Sequence, residues 1–329
     1  MKPEVITFGS ATVDIFAETS KQDVVHLCTD KGCEDLLVYH PGDKVLLSDL
    51  HTSIGGGGTN TAACFAKQGV SVAFAGSVGQ DAHGDRVLDW LRENNIAFVG
   101  ARVKETTNTS IILDSKQLQD RTILTYKAAS DALREEALDF SALHATWWYS
   151  SSLVGRSFQT LLALMRYARK HGIAFAFNPS SYQTQTGLVG LGECVSLSTF
   201  FVCNKEEAEM LVGSGNRADL CRRLRGAGAE IVCVTEAEHG ASLLYADKVY
   251  HVGSAASEVV ETTGAGDCFA STVVASLILG FSPRDALVRA ALHSEELIRY
   301  VGAKEGLLSR EELDKRLAQD TREVVVERA

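Results

Sequence analysis

The chain has 329 residues, a formal net charge of −10 and 45% hydrophobic residues. That supplies a core without disulfide or metal staples, and the lack of any Lys/Arg stripe excludes the electrostatic footprint of a nucleic-acid binder. No run approaches the roughly 18 apolar residues of a membrane span, and MKPEVITF lacks the apolar core of a signal peptide, so a cytoplasmic protein without a membrane partner is expected.

In chain order, short β-type runs alternate with helical patterns. VITFGSA reads as a strand, TAACFAKQG (61–69) as a helix and VSVAFAGSVG (70–79) as a strand. RVLDWLRENN (86–95) sets Val87, Leu88 and Leu91 on one helical face. The alternation resumes with SFQTLLALMRYARKHG and IAFAFNP, STFFVCN and KEEAEMLVG, then ADLCRRLRGAG and AEIVCVTE. This rhythm predicts an α/β fold, a mostly parallel sheet with helices on both faces. Two stretches break it. Residues 20–50 hold LLVYHPGDKVLLSDL, two short strands around Pro41-Gly42, and residues 98–127 hold FVGARVKET, TSIILD and RTILTY. They predict a separate small β-sheet, with lid segments of about 15–52 and 98–128 inside one domain covering 1–329.

Of the eight cysteines, only Cys28 and Cys33 lie close together, at a spacing that fits neither a zinc site nor a CxxC redox pair. Cys203 and Cys233 stand inside apolar runs and read as small buried hydrophobes in a reducing compartment.

Near the C-terminus, strand-like ASEVV leads into ETTGAGDCFASTVVASLILG, whose second half is helical. Gly264-Ala265-Gly266 therefore falls at a helix start. Glycines there let backbone amides approach a ligand, and unpaired first-turn amides at the positive end of the dipole bind phosphate. Asp267, in the same turn, has two readings. It complements the helix dipole, or it accepts the proton of a hydroxyl that attacks a phosphoryl group held on those amides.

Four glycines, 55–58, precede a second helix start near Thr59-Asn60. The stretch lacks the GxGxxG spacing and following acid of a dinucleotide turn, and it is not GxxxxGK[ST]. A nicotinamide-dependent enzyme is thereby disfavoured. The plain reading is a glycine loop with an Asn near a helix start.

Together these segments resemble the two signatures of the ribokinase-like (PfkB) carbohydrate kinase family. One is GGxxxN followed by G-x-D-x-x-G, here Gly79-Gln-Asp81-Ala-His-Gly84; the other is DTxGAGD, here Glu261-Thr-Thr-Gly-Ala-Gly-Asp267, with Glu for the usual Asp. The resemblance implies a three-layer α/β/α ribokinase-like fold with a small β lid. It implies transfer of the ATP γ-phosphate to a hydroxyl of a sugar or sugar-like molecule, or of a nucleoside. Asp267 would be the base, with Gly264, Ala265 and Gly266 around the moving phosphate. Gly56, Gly57 and Asn60 would hold the acceptor, and Asp14 would grip two of its hydroxyls. Gly57 stands where some members carry Lys, which favours a neutral acceptor.

The family's NxxE motif corresponds to Asn204-Lys-Glu-Glu207. It implies nucleotide contact by Asn204 and a magnesium contact by Glu207 through water, although Asn with Glu at N3 is also a capping box. Thr235, Ala237 and Gly240 match a VTxGxxG stretch beside the nucleotide, with Ala237 in place of Gly, and His293 is assigned to the same side. Glu261, Thr263, Leu297, Tyr300 and Gly302 would surround a potassium ion. A homodimer through the lid is the implied assembly. The competing reading, a non-catalytic binding protein on the same fold, gives no reason for an intact Asp267.

Overall fold

The computed structural model describes residues 2–19, 23–29, 32–115, 120–256 and 258–329. The β-branched and aromatic runs pair into a ten-stranded sheet. Its order is Val324–Arg328, Lys248–Val252, Ala241–Tyr245, Ile231–Thr235, Phe200–Asn204, Ala174–Phe177, Trp147–Ser150, Val5–Phe8, Val72–Phe74 and Ala97–Phe98. From Ala97–Phe98 to Ile231–Thr235 the neighbours are parallel, and the remaining three strands add on antiparallel.

Alternate strand residues point to opposite faces, so each strand feeds two cores. Phe200, Val202, Ile231 and Cys233 pack with the helices Gly57–Lys67, Ala265–Ile278 and Pro283–Leu297. Phe201, Cys203, Val232 and Val234 pack with Ser157–His171, Gly187–Leu197 and Arg217–Gly226. This is the expected three-layer α/β/α arrangement. No helix among the described residues is long and apolar enough to cross a membrane.

A second, four-stranded sheet is ordered Asp120–Tyr126, Asn108–Ser115, Thr12–Thr19, Leu47–Gly55. It draws on both expected segments, with corrections. Ala97–Phe98 joins the central sheet and Ala101–Val103 pairs with Ser77–Gly79, so 98–103 is not part of the small sheet. The strands flanking Pro41-Gly42 do not pair with each other. Gly32–Val38 forms a hairpin with Asp23–Thr29, and Leu47–Gly55 lies against Thr12–Thr19. Lid positions 20–22, 30–31 and 116–119 lie outside the described residues. Cys28 and Cys33 face each other across the hairpin and are disulfide-bonded, a pairing set by register rather than by a motif. The other six cysteines are buried and free.

The strand expected at ASEVV does not form among the described residues of 253–264. Val259 and Val260 are exposed, and the amides of Val260 and Glu261 donate to the Ile298 carbonyl at 2.8 and 3.0 Å. The glycine turn is thus tied to the end of the Pro283–Leu297 helix instead of to a strand.

Candidate active site

One half of the site begins where the small sheet meets the Gly57 helix. Asp14 lies opposite Ser53 on the neighbouring strand, and its carboxylate crosses Gly55, where any Cβ would collide with it. Gly56 has φ +97°, and a Cβ there would meet the Ser10 backbone, with the Ser10 carbonyl carbon at 2.8 Å. Only glycine suits that corner. The helix starts at Gly57, two residues earlier than the sequence suggested, which puts Asn60 in its first turn. Thr59 and Thr61 hydroxyls donate back to the carbonyls of Gly55 and Gly57, at 2.6 and 2.8 Å, and fix the loop.

The other half begins at Gly264, which caps the Ala265 helix in a left-handed conformation, φ +77°. Ala303 packs against it, where a Cβ would come within 2.6 Å of the Ala303 methyl. First-turn amides have no intrahelical carbonyl, and Gly266 borders open space. Asp267 projects from this turn toward the acceptor loop. Asn60 Nδ2 donates to Asp267 Oδ2 at 2.9 Å, across 207 positions of sequence. Gly57 is close enough that a Cβ would stand 3.5 Å from Asp267 Oδ1. By surface area Asp267 is half-buried, yet protein surrounds its carboxyl, and this desolvation pushes it up to about 6 against the opposing pull of Asn60 and Lys304. Burial likewise raises Asp14, opposed by a hydrogen bond from Ser110 and by the charge of Lys304. Asp14, Gly57, Asn60 and Asp267 thus lie together, with Lys304 bonded to Asn60 and close to both carboxylates.

Two cations in this site carry no signature in the sequence. Lys304 donates to Asn60 Oδ1 at 2.6 Å and to the Ile54 carbonyl, and its amine lies 4.9 Å from the Trp90 ring centre. Burial brings it down to about 7, with Asp14 and Asp267 pulling the other way. The one available signal was a Lys two positions after Gly302, in GAKEG. Arg121, from the small sheet, pairs with Glu261 Oε1 at 2.8 Å and donates to Thr263 Oγ1 at 2.8 Å. Glu261 is buried, and its other oxygen accepts the Gly302 amide at 2.7 Å.

This arrangement bears on the potassium expectation. Both carboxylate oxygens of Glu261 and the Thr263 hydroxyl are held by Arg121, Gly302 and one another. Of the two backbone carbonyls expected to face the ion, that of Leu297 accepts the Tyr300 amide at 3.1 Å. The Glu261 and Thr263 side chains are thus filled by the Arg121 guanidinium and the Gly302 amide.

Asn204 and Thr235, expected to line a nucleotide, are register partners at the C-terminal ends of two parallel strands. Ligands gather at that end of open α/β sheets. Asn204 and Glu207 complete the capping box: Glu207 N to Asn204 Oδ1 is 2.8 Å and Asn204 N to Glu207 Oε2 is 3.0 Å. Ser181 takes the other Glu207 oxygen at 3.0 Å, and burial raises this carboxyl. Ala237 holds φ +36°, a region that favours the glycine it replaces, and Gly240 has φ +85°. Glu236 adds no net negative field, because Lys205 and Arg217 both pair with it.

His293 is a correction. It is fully buried, its Nδ1 meets Thr272 Oγ1 at 2.8 Å, and its Nε2 accepts the Leu308 amide at 2.8 Å. Both ring nitrogens are committed inside the core, so it does not face a nucleotide.

The chain matches the model of the pfkB family carbohydrate kinases over residues 7–310. It is 25% identical over 300 residues to an ATP-dependent 6-phosphofructokinase of Thermoanaerobacterium thermosaccharolyticum, covering 88% of this chain and 92% of that one. It is 25% identical over 303 residues to the ribokinase of Bacillus subtilis, covering 89% and 99%. Its fold superposes on an Arabidopsis thaliana ribokinase complexed with ribose and ATP with a TM-score of 0.79 at 20% identity, covering 96% and 99%. The chain belongs to the pfkB family of carbohydrate kinases.

Proposed function

We propose that this kinase transfers the γ-phosphoryl group of ATP to a hydroxyl of a neutral sugar or sugar-like molecule, with Asp267 as the base. The observation that carries the reading is the meeting of Asp267 with Asn60 at 2.9 Å, which joins a phosphate-binding turn to an acceptor loop. A base must reach the hydroxyl it deprotonates, and it works best with a pKa near the working pH. A carboxyl near 6 meets the second condition, since it is ionised at neutral pH.

In this reading Asp14 and Asn60 orient the acceptor, and its hydroxyl attacks in line. Asp267 takes the proton while the amides of Gly264 and Gly266 face the charge that builds on the transferred group, the Ala265 amide already donating to the Thr262 carbonyl at 3.1 Å. Asn204, Thr235 and Gly240 line the nucleotide. Magnesium comes with the nucleotide phosphates, and Glu207 would meet it through water, because both its oxygens already serve the chain. A neutral acceptor agrees with the two cations being occupied, Arg121 by Glu261 and Lys304 by Asn60. The small sheet acts as the lid that excludes water from the transfer. The neighbouring hairpin and the edge of this sheet expose Val25, Leu27, Leu36, Leu46, Leu47 and Leu50, which supports a homodimer joined there. Sedimentation equilibrium of a monomer at all concentrations would remove that part.

The test is ADP release with a panel of neutral sugars, phosphosugars and nucleosides, with products identified by mass. A phosphorylated neutral sugar is expected. Turnover confined to nucleosides would replace the acceptor class, and ligand binding with no turnover would favour a non-catalytic protein.

A further inference from the structure

The loop 301–307 touches both halves of the site. The Gly302 amide bonds Glu261 and Ala303 packs on Gly264, while Lys304 reaches across 244 positions of sequence to Asn60. A primary amide has two ends of nearly equal shape, one donor and one acceptor, and only its partners decide which way it faces. If Asn60 turned Oδ1 toward Asp267, two acceptors would meet. An ammonium only donates, so Lys304 at Oδ1 selects the other orientation.

We propose that Lys304 is a positioning residue for phosphotransfer: by claiming Oδ1, it locks the Asn60 amide with Nδ2 aimed at Asp267 and so holds the carboxylate toward the acceptor hydroxyl. The inference rests on Asp267 being the base. Three anchors support the placement of the amine: the Ile54 carbonyl, Asn60 Oδ1 at 2.6 Å and the Trp90 face at 4.9 Å, drawn from three different elements. The charged groups around it are Asp14 from the small sheet, Asp267 from the Ala265 helix and Glu305 from its own loop. All three favour the ammonium, while burial opposes it. A neutral amine also accepts, so the donor-only selection of the Asn60 orientation belongs to the charged form that these three carboxylates favour. The charge itself helps keep Asp267 ionised.

The experiment is a double-mutant cycle in the full chain, using the acceptor identified in the panel. Lys304→Met and Asn60→Ala are made singly and together, with Lys304→Arg as the conservative variant. Lys304→Met is expected to lower kcat about ten- to a hundredfold, and to move the acid limb of the kcat/KM profile to higher pH. Lys304→Arg should recover part of the rate. The pair should be no slower than Asn60→Ala alone, because both changes break one relay. Multiplying losses in the pair, or a wild-type kcat and pH profile in Lys304→Met, would overturn the proposal. If Lys304→Met does not fold, Lys304→Gln takes its place in the same cycle. An inactive wild type would instead overturn the kinase assignment, which separates the two failures.

Discussion

Replacing Asp267 by Asn should abolish turnover and stabilise the protein at the same time. The carboxyl is pushed from 3.8 to about 6, with burial as the largest cause. Each tenfold change in acid strength is worth about 1.4 kcal/mol between protonation states, so keeping this carboxylate charged in the folded site costs about 3 kcal/mol. Asn carries no charge, and its Oδ1 can still accept from Asn60 Nδ2. The pH window follows from the direction in which the carboxyl is moved. Below about 4, Asp267 is protonated in both folded and unfolded chains and no cost exists. Between about 4 and 6 the folded state binds the proton that the unfolded state has lost, so its stability falls as pH rises. Above about 6 the full cost is present. The stability gap between Asp267→Asn and wild type should therefore open across pH 4 to 6 and stay constant above.

Urea denaturation at half-unit steps from pH 4.5 to 8.5, followed by fluorescence, reads this gap directly. A plateau of about 1–3 kcal/mol is expected, while kcat drops by roughly 10²–10⁴-fold for loss of a general base. Wild-type kcat/KM should fall about tenfold per pH unit below 6. Equal stability of the two proteins at every pH would refute the claim that burial strains Asp267. Full activity in Asp267→Asn would refute its role as base.

Four further outcomes are expected. Arg121→Ala removes the cation beside buried Glu261 and should cost about 1–3 kcal/mol by urea denaturation; wild-type activity should not differ between potassium and tetramethylammonium, and activation by potassium would refute the reading of Glu261 and Thr263 as filled by the guanidinium. Gly57→Ala places a methyl 2.7 Å from Ser151 Oγ and 3.5 Å from Asp267 Oδ1, so acceptor KM should rise about tenfold with nucleotide KM unchanged; equal rises in both would show a general disruption. Ala237→Gly relieves a non-glycine residue at φ +36° and should raise the urea midpoint by an amount worth up to about 1 kcal/mol; a lower midpoint would mean the alanine side chain is needed there.

What could be read ahead of the structure was whatever chemistry is written in consecutive residues. A run of glycines states that backbone must pass close to something, and GAGD puts a carboxylate and free amides in one helical turn. Asn204 and Glu207 likewise announced their capping box through spacing alone. His293 shows the limit of such reading. Its closeness in sequence to matched motifs says nothing about which side of the Pro283 helix it occupies, and that side faces Thr272 and the core. ASEVV shows another limit, because β-branched residues favour a strand only where an edge is available to pair, and here the Ile298 carbonyl takes the amides.

Lys304 and Arg121 were illegible for a deeper reason. Each is a single basic residue with no local pattern, and each acquires its role by contacts 244 and 142 positions away. Yet these two residues set the charge of the site. In the proposed reading, Asp14, Asp267 and Glu261 would otherwise crowd three carboxylates around the acceptor and a polyanionic nucleotide. Arg121 neutralises Glu261 at the edge of the phosphate turn, and Lys304 sits between Asp14 and Asp267. Because both cations are spent on the protein's own groups, an acceptor that brought a second anion would have to break one of these pairs to be held. A neutral hydroxyl compound needs no such exchange, and in the proposed reading Asp14 orients it while Asp267 takes its proton.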